Sequence, residues 1–233
     1  MTTTAEFFCE AFNLNREAVL ALSCGKSLRF AVGLMKDSLA QIGRFCCFPD
    51  DSLHLPSTAD SNLACTAIPI QIPQDPDFYI FDHAMIFHSR ISPQGRNISP
   101  SHAAYLSAVI TFNTALAYHK LGRETGGSEQ KQKAAFLYMK SIEMASSLDP
   151  VVVGDAMYVL QMVASNNAAQ IYREEARFDV CAQVLSCVQE RPRALMKFGF
   201  GPLRGGAFVL GEQLEQIILN MVAVSIPMSA PSA

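Results

Sequence analysis

The side chains able to do chemistry are scattered along the sequence. Among the histidines, His54, His83, His88, His102 and His119, no two stand four residues apart, and no His-Glu-x-x-His occurs. A zinc-binding helix needs two imidazoles one turn apart on the same face, so no metal site is expected. Asp82 and His83 suggest an acid–base pair, but neighbours along a strand point to opposite faces, and the two are not expected to act together. The seven cysteines, Cys9, Cys24, Cys46, Cys47, Cys65, Cys181 and Cys187, are odd in number and form no Cys-x-x-Cys. Cys24, Cys181 and Cys187 fall at apolar helical positions, which favours small core residues in a reducing compartment. The adjacent Cys46 and Cys47 leave a redox or acylation site as the lesser reading. Gly199-x-Gly201 with Gly205-Gly206 lacks the Lys-Ser/Thr of a phosphate loop and reads as a hinge. Asn97-Ile98-Ser99 has the form of a glycosylation acceptor but follows no secretory leader. With no Gly-x-Ser-x-Gly elbow and no other convergent set, the residues predict a protein that is not an enzyme and uses no cofactor.

The elements that would position any site are helical hairpins. Ser99 can cap a helix that Pro100 begins. Leu106, Ile110, Ala115, Leu116, Tyr118 and Leu121 then follow helical spacing as far as Gly122, which is suited to end it. The polar run 123–132 predicts the turn, and a second helix follows over 133–148 with Ala134, Leu137, Tyr138, Ser141, Ile142 and Ala145 on one side. Asp149-Pro150 stops it. The order then repeats. Asn167, Ala169 and Tyr172 line up with Asn113, Ala115 and Tyr118, Ala176 takes the place of Gly122, and Phe178 and Asp179 form the turn. Cys181, Leu185 and Val188 match Ala134, Tyr138 and Ser141. A degenerate third copy covers 5–45, with Asn15, Ala18, Ala21 and Leu22 before Gly25, and Ala31, Met35, Ser38 and Leu39 after it.

A small residue, an aromatic three later, a turn glycine, Ala-x3-aromatic and a proline resemble the tetratricopeptide repeat, carried here by Ala115, Tyr118, Gly122, Ala134, Tyr138 and Pro150. The turn is longer than in that repeat, and no Trp is present. Four stretches occur in order: Phe78-Tyr79-Ile80-Phe81-Asp82-His83, Phe112-Asn113-Thr114-Ala115-Leu116-Ala117-Tyr118-His119, Asn166-Asn167, and Gln216-Ile217-Ile218-Leu219-Asn220-Met221-Val222. This order is similar to a large family of tetratricopeptide-like proteins from diatom genomes, over most of the chain. The resemblance implies a helical-repeat fold with a small appended strand pair, and no particular activity. First helices of such repeats line a concave groove. The resemblance therefore implies that Asn113, Leu116, His119 and Lys120 from one copy, and Asn166, Asn167, Gln170 and Arg173 from the next, bind a partner segment. An Asn amide can bond an extended backbone through both its donor and its acceptor. The other reading of Asn113 and Asn167 is that they tie one hairpin to its neighbour.

Composition narrows the classes. Hydrophobic residues make up 50% and charged residues 17%, the net charge is −3, and no Lys/Arg cluster occurs. That argues against disorder, nucleic-acid binding and membrane-surface binding. The longest apolar run, 217–226, is broken by Asn220 and Ser225 and too short to span a bilayer. With no leader pattern, an intracellular, cytoplasmic protein is expected.

In order, the chain predicts an N-terminal hairpin (1–48), a Pro-rich linker and strand (49–100), two hairpins (101–190), and a C-terminal part (191–233). The linker is exposed around 52–62, carries an extended edge segment at 68–72, and leads to a strand at 78–88 followed by a loop. The C-terminal part holds a Gly-rich loop, a strand at 215–224 and a flexible tail from 226. The strand at 78–88 is expected to pair with 217–224. The fold class is thus mainly α, about three stacked antiparallel hairpins with a two-stranded β element, in one structural domain. The expected function is a non-catalytic scaffold binding a protein or peptide. A self-assembling structural protein, a homo-oligomer paired through strand edges, is the alternative, and an enzyme of unknown class a remote one.

Overall fold

The computed structural model describes residues 4–47, 64–88, 100–148, 156–188 and 211–225. The expected linker at 52–62, loop at 89–99, stop at Pro150, Gly-rich loop at 199–206 and tail from 226 lie outside them. The described chain is mainly helical with one two-stranded antiparallel sheet. Helices α1 (Thr4–Ser23) and α2 (Leu28–Cys47) precede strands β1 (Ala64–Pro69) and β2 (His83–His88). Helices α3 (Pro100–Thr125), α4 (Ser128–Ser146), α5 (Ala156–Glu174), α6 (Phe178–Ser186) and α7 (Gly211–Ser225) follow. Consecutive helices pack on one another from α1 to α6, and α7 lies against α5 and α6.

Within the two N-terminal hairpins the second helix is tied to the first by a serine. Ser38 donates to the Ala11 carbonyl at 2.5 Å, and Ser141 to the Ala108 carbonyl at 2.9 Å. The first helices α3 and α5 are buried nearly all round, as expected of helices covered on every side. In α3 the hydroxyls of Ser107, Thr111 and Thr114 bond carbonyls one turn back, so their burial leaves no orphan.

Several boundaries differ from the sequence expectation. Helix α3 runs on through Thr125, α4 begins at Ser128, and the turn between them is the pair Gly126-Gly127. The polar residues 123–132 suggested a loop, but Arg, Glu, Gln and Lys are good helix formers, and they extend the hairpin by about a turn on each side. Gly122 therefore lies inside α3. It is small because α4 passes close: a Cβ there would come 2.7 Å from Lys131 Cγ and 3.1 Å from its backbone nitrogen. The residue equivalent to Ala176 is Gly126. Gly25, Gly126 and Ala176 all adopt positive φ, at 69°, 69° and 56°. After α1 and α5 the next N–H reaches back across the helix end, Lys26 to the Ala21 carbonyl and Arg177 to that of Tyr172. Phe178 and Asp179, expected in the turn, open α6.

The strand pairing is a clear correction. Strand β2 covers only 83–88, and its partner is β1, in register from Ala64↔His88 to Pro69↔His83. The Ile70 N–H extends the ladder to the Asp82 carbonyl. Residues 217–224 belong to helix α7. Their Ile and Val content suggested a strand, yet Leu214, Ile217 and Met221 are buried while Glu215, Gln216, Leu219 and Val222 are exposed, which is helical periodicity. Among the cysteines, only Cys181 is a core residue of the three placed at apolar helical positions. Cys24 and Cys187 are exposed, as are Cys46 and Cys47. Cys24 and Cys187 each stand one residue past a helix end, where the side chain leaves the packed face.

Candidate functional site: a groove gripping an extended backbone

The residues expected to line a partner groove are gathered on one surface, and that surface is filled by residues 70–85 of the chain itself. Three asparagines, one each from α3, α5 and α7, hold both peptide groups of one residue apiece. Asn113 Oδ1 accepts the Met85 N–H at 2.8 Å, and its Nδ2 donates to the Met85 carbonyl at 2.7 Å. Asn167 holds Phe81 in the same way at 2.9 and 2.8 Å. Asn220 holds Tyr79 at 3.2 and 2.8 Å. A carboxamide carries the donor–acceptor pair of a peptide group, so each side chain does what a neighbouring strand would do for that residue. Exchanging the amide O and N would set donor against donor, so the contacts fix the orientation of each amide.

The second hydrogen of each amide is also used. Asn113 donates to Asn15 Oδ1 at 3.0 Å, Asn167 to the Tyr138 hydroxyl at 3.1 Å, and Asn220 to Asn166 Oδ1 at 2.8 Å. Asn15 and Asn166 add second bonds to the Met85 and Tyr79 carbonyls, at 3.3 and 2.9 Å. Helices α1 and α3 thus contribute one bonded pair, Asn15 and Asn113, and α5 and α7 a bonded trio, Asn167, Asn166 and Asn220. The side chains of Phe78, Ile80, Phe81 and Met85 enter the core between the helices.

His119 is fully buried, and its ring joins α4 to α5. Gln170 Nε2 donates to Glu174 and, at 3.5 Å, to Asp75, so Gln170 Oε1 accepts from His119 Nε2 at 3.0 Å. Nδ1 of the neutral ring accepts the Tyr138 hydroxyl proton at 3.3 Å, while that hydroxyl accepts from Asn167. Burial pushes the His119 pKa down to about 4, outweighing the hydrogen bond to Gln170. His119 is therefore neutral at pH 7 and supplies no charge to the α3 dipole.

The other end of the segment is held by charge. Lys120 donates to the Ile70 and Gln71 carbonyls at 3.1 and 2.6 Å. Arg123 donates to those of Pro73 and Gln74 at 3.1 and 2.9 Å. These cations hold a bend in which Gln71 has φ of 53°. Asp75 lies 3.5 Å from Arg173 and 4.0 Å from Arg123. Glu174 pairs with Arg123 and, at 2.6 Å, with Lys131. Burial would raise the Asp75 pKa, but the Asp77 N–H, Gln170, Arg173 and Arg123 together hold it below its ordinary value. Glu174 is lowered in the same way by Lys131, Gln170 and Arg123 against its burial.

Of the residues expected at the site, Asn113, His119, Lys120, Asn166, Asn167, Gln170 and Arg173 all belong to this network. Leu116 is a core residue that packs rather than binds. Sequence reasoning assigned no contact role to Asn15, Asn220, Asp75, Arg123, Tyr138, Lys131 or Glu174. The recurrence of one Asn per first helix was the available signal for Asn15, and the strand reading of 215–224 hid Asn220. Arg123 and Lys131 were hidden by the loop assignment. Asp82 and His83 do touch, at 2.8 Å between Oδ1 and Nδ1, at the start of β2. Among the described residues no group of side chains is arranged to hold a metal ion, and no helix is long and apolar enough to cross a membrane.

No protein-family model matches the chain, and neither a curated protein nor a solved structure is similar to it.

Proposed function

We propose that the protein is a non-catalytic interaction scaffold of tetratricopeptide-like design, whose helical groove takes up an extended protein segment by its backbone. The repeat reading draws support from the recurring asparagines of α1, α3, α5 and α7, the paired serine ties, and the three positive-φ residues between helices. The observation that carries the functional reading is that Asn113, Asn167 and Asn220 each bond both peptide groups of one residue in an extended segment. Such contacts are indifferent to side-chain identity and supply affinity to any extended chain, while pockets between the contacts supply selectivity. The internal segment is the occupant at rest, and a partner segment enters by exchange with it.

Magnitudes make exchange feasible. Ordering residues 78–85 costs about 8–16 kcal/mol in backbone entropy. Burying Phe78, Ile80, Phe81 and Met85 gains about 6–12 kcal/mol. These nearly cancel, so the hydrogen bonds, at about 1 kcal/mol each, decide occupancy. The test is recovery of the tagged chain from its own cells, with and without excess synthetic peptide of residues 70–88. A co-purifying protein displaced by the peptide supports the groove reading. Partners indifferent to the peptide, or self-copies alone, contradict it.

A further inference from the structure

The backbone contacts say that an extended chain fits, and the charges at one end of the groove say which kind. Around Asp75 stand Arg123, Arg173 and Gln170, with Lys131 and Glu174 directly behind. Three cations there are met by the half-buried carboxylates of Asp75 and Glu174, and Arg173 is also 3.7 Å from the exposed carboxylate of Asp77. Glu174 is built into α5 and stays. Asp75 belongs to the occupant and leaves with it, so an emptied groove has an excess of positive charge at this point. A neutral occupant would leave Arg173 without a counter-ion and Arg123 and Lys131 sharing Glu174 alone, which is costly in a half-buried site.

We propose that the partner segment carries an internal acidic residue at the Asp75 position, turns as residues 76–77 do between the bridged Asp75 and Phe78, and then runs extended with apolar residues where Phe78, Ile80, Phe81 and Met85 stand. The carboxylate fixes the register, because the asparagines alone would hold a chain shifted by two residues equally well. Arg173 has a double part: its guanidinium pairs with Asp75 and lies 5.7 Å from the centroid of the Phe78 ring. It therefore reads the acidic residue and the first aromatic together. The inference rests on the groove reading above and names its ligand class.

The experiment uses full-length protein and two fluorescent peptides of residues 70–88 with both ends blocked, one native and one with Asp75→Asn. Blocked ends leave side chains as the only carboxylates. Anisotropy is measured on the wild-type chain and on a chain carrying Asp75→Asn, whose own segment is more weakly held. The expected result is binding of the native peptide at least about tenfold tighter than the Asn peptide on either chain, a ratio that shrinks at high salt. Absolute binding is weaker on the wild-type chain, since a tethered competitor acts at about millimolar effective concentration. On an Arg173→Gln chain the ratio falls toward one. Equal binding of both peptides overturns the carboxylate requirement and leaves the groove reading standing. Binding of neither peptide to either folded chain overturns both. Should the Asp75→Asn chain fail to fold, the same ratio on the wild-type chain decides.

Discussion

Replacing Asn167 with alanine leaves the Phe81 N–H and carbonyl buried without partners and removes a donor from the Tyr138 hydroxyl. Each buried orphan costs about 1–3 kcal/mol, so urea unfolding is expected to show a loss of about 3–6 kcal/mol. Asn15→Ala should cost less, about 1–3 kcal/mol, because Asn113 continues to serve the Met85 carbonyl and only its second amide hydrogen loses an acceptor. Similar losses for the two would mean that the asparagines act by packing alone. His119 gives a pH dependence of definite sign. Its pKa falls from 6.5 in the unfolded chain to about 4 in the folded one, so the unfolded chain takes the proton first. Stability is expected to drop as the pH falls from 6.5 to 4, by roughly 3 kcal/mol from this residue. The lowered pKa values of Asp75 and Glu174 add to the loss in acid, since carboxylates held low contribute stability above their unfolded values and lose it on protonation. A His119→Gln chain with an unchanged stability profile between pH 6.5 and 4 would remove His119 from the explanation.

At the scale of the element, the hairpin turns carry different strains. Ala176 does with φ of 56° what Gly25 and Gly126 do at 69°. A side chain in this region is disfavoured by about 1–2 kcal/mol. Ala176→Gly should therefore raise the melting temperature, with a gain of about 0.5–1 kcal/mol after the added flexibility of the unfolded chain. Gly122→Ala should act the other way, because its Cβ would meet Lys131 at both side chain and backbone. A loss of about 1–3 kcal/mol is expected from such overpacking. Opposite signs for two Gly/Ala exchanges four positions apart in the repeat alignment would separate a turn glycine from a close-approach glycine. The sequence pattern offered Gly122 for the turn because glycine has both uses, and nothing local distinguishes them. For α7 the period of burial was present in the sequence, but Ile and Val content outweighed it.

At the scale of the molecule, the helices were legible because apolar residues recur at 3.6-residue spacing over long stretches, and Asn113 and Asn167 were legible because they repeat. What no local pattern carries is the destination of a backbone N–H. Residues 78–82 look like a strand in need of a partner, and the partners are side chains: Asn220 and Asn167 from helices up to 141 residues away for Tyr79 and Phe81, and Gln74 of the same segment for Ile80. The most direct test of the account is native-state hydrogen exchange at the Tyr79 and Phe81 amides. Both lie outside any strand ladder, so their protection depends on Asn220 and Asn167. The account predicts that they exchange more slowly than a free chain by a factor on the order of 1,000 or more, and that Asn167→Ala removes protection selectively at Phe81 before global unfolding. Exchange of both amides at the rate of an unprotected chain in the wild-type protein would contradict it.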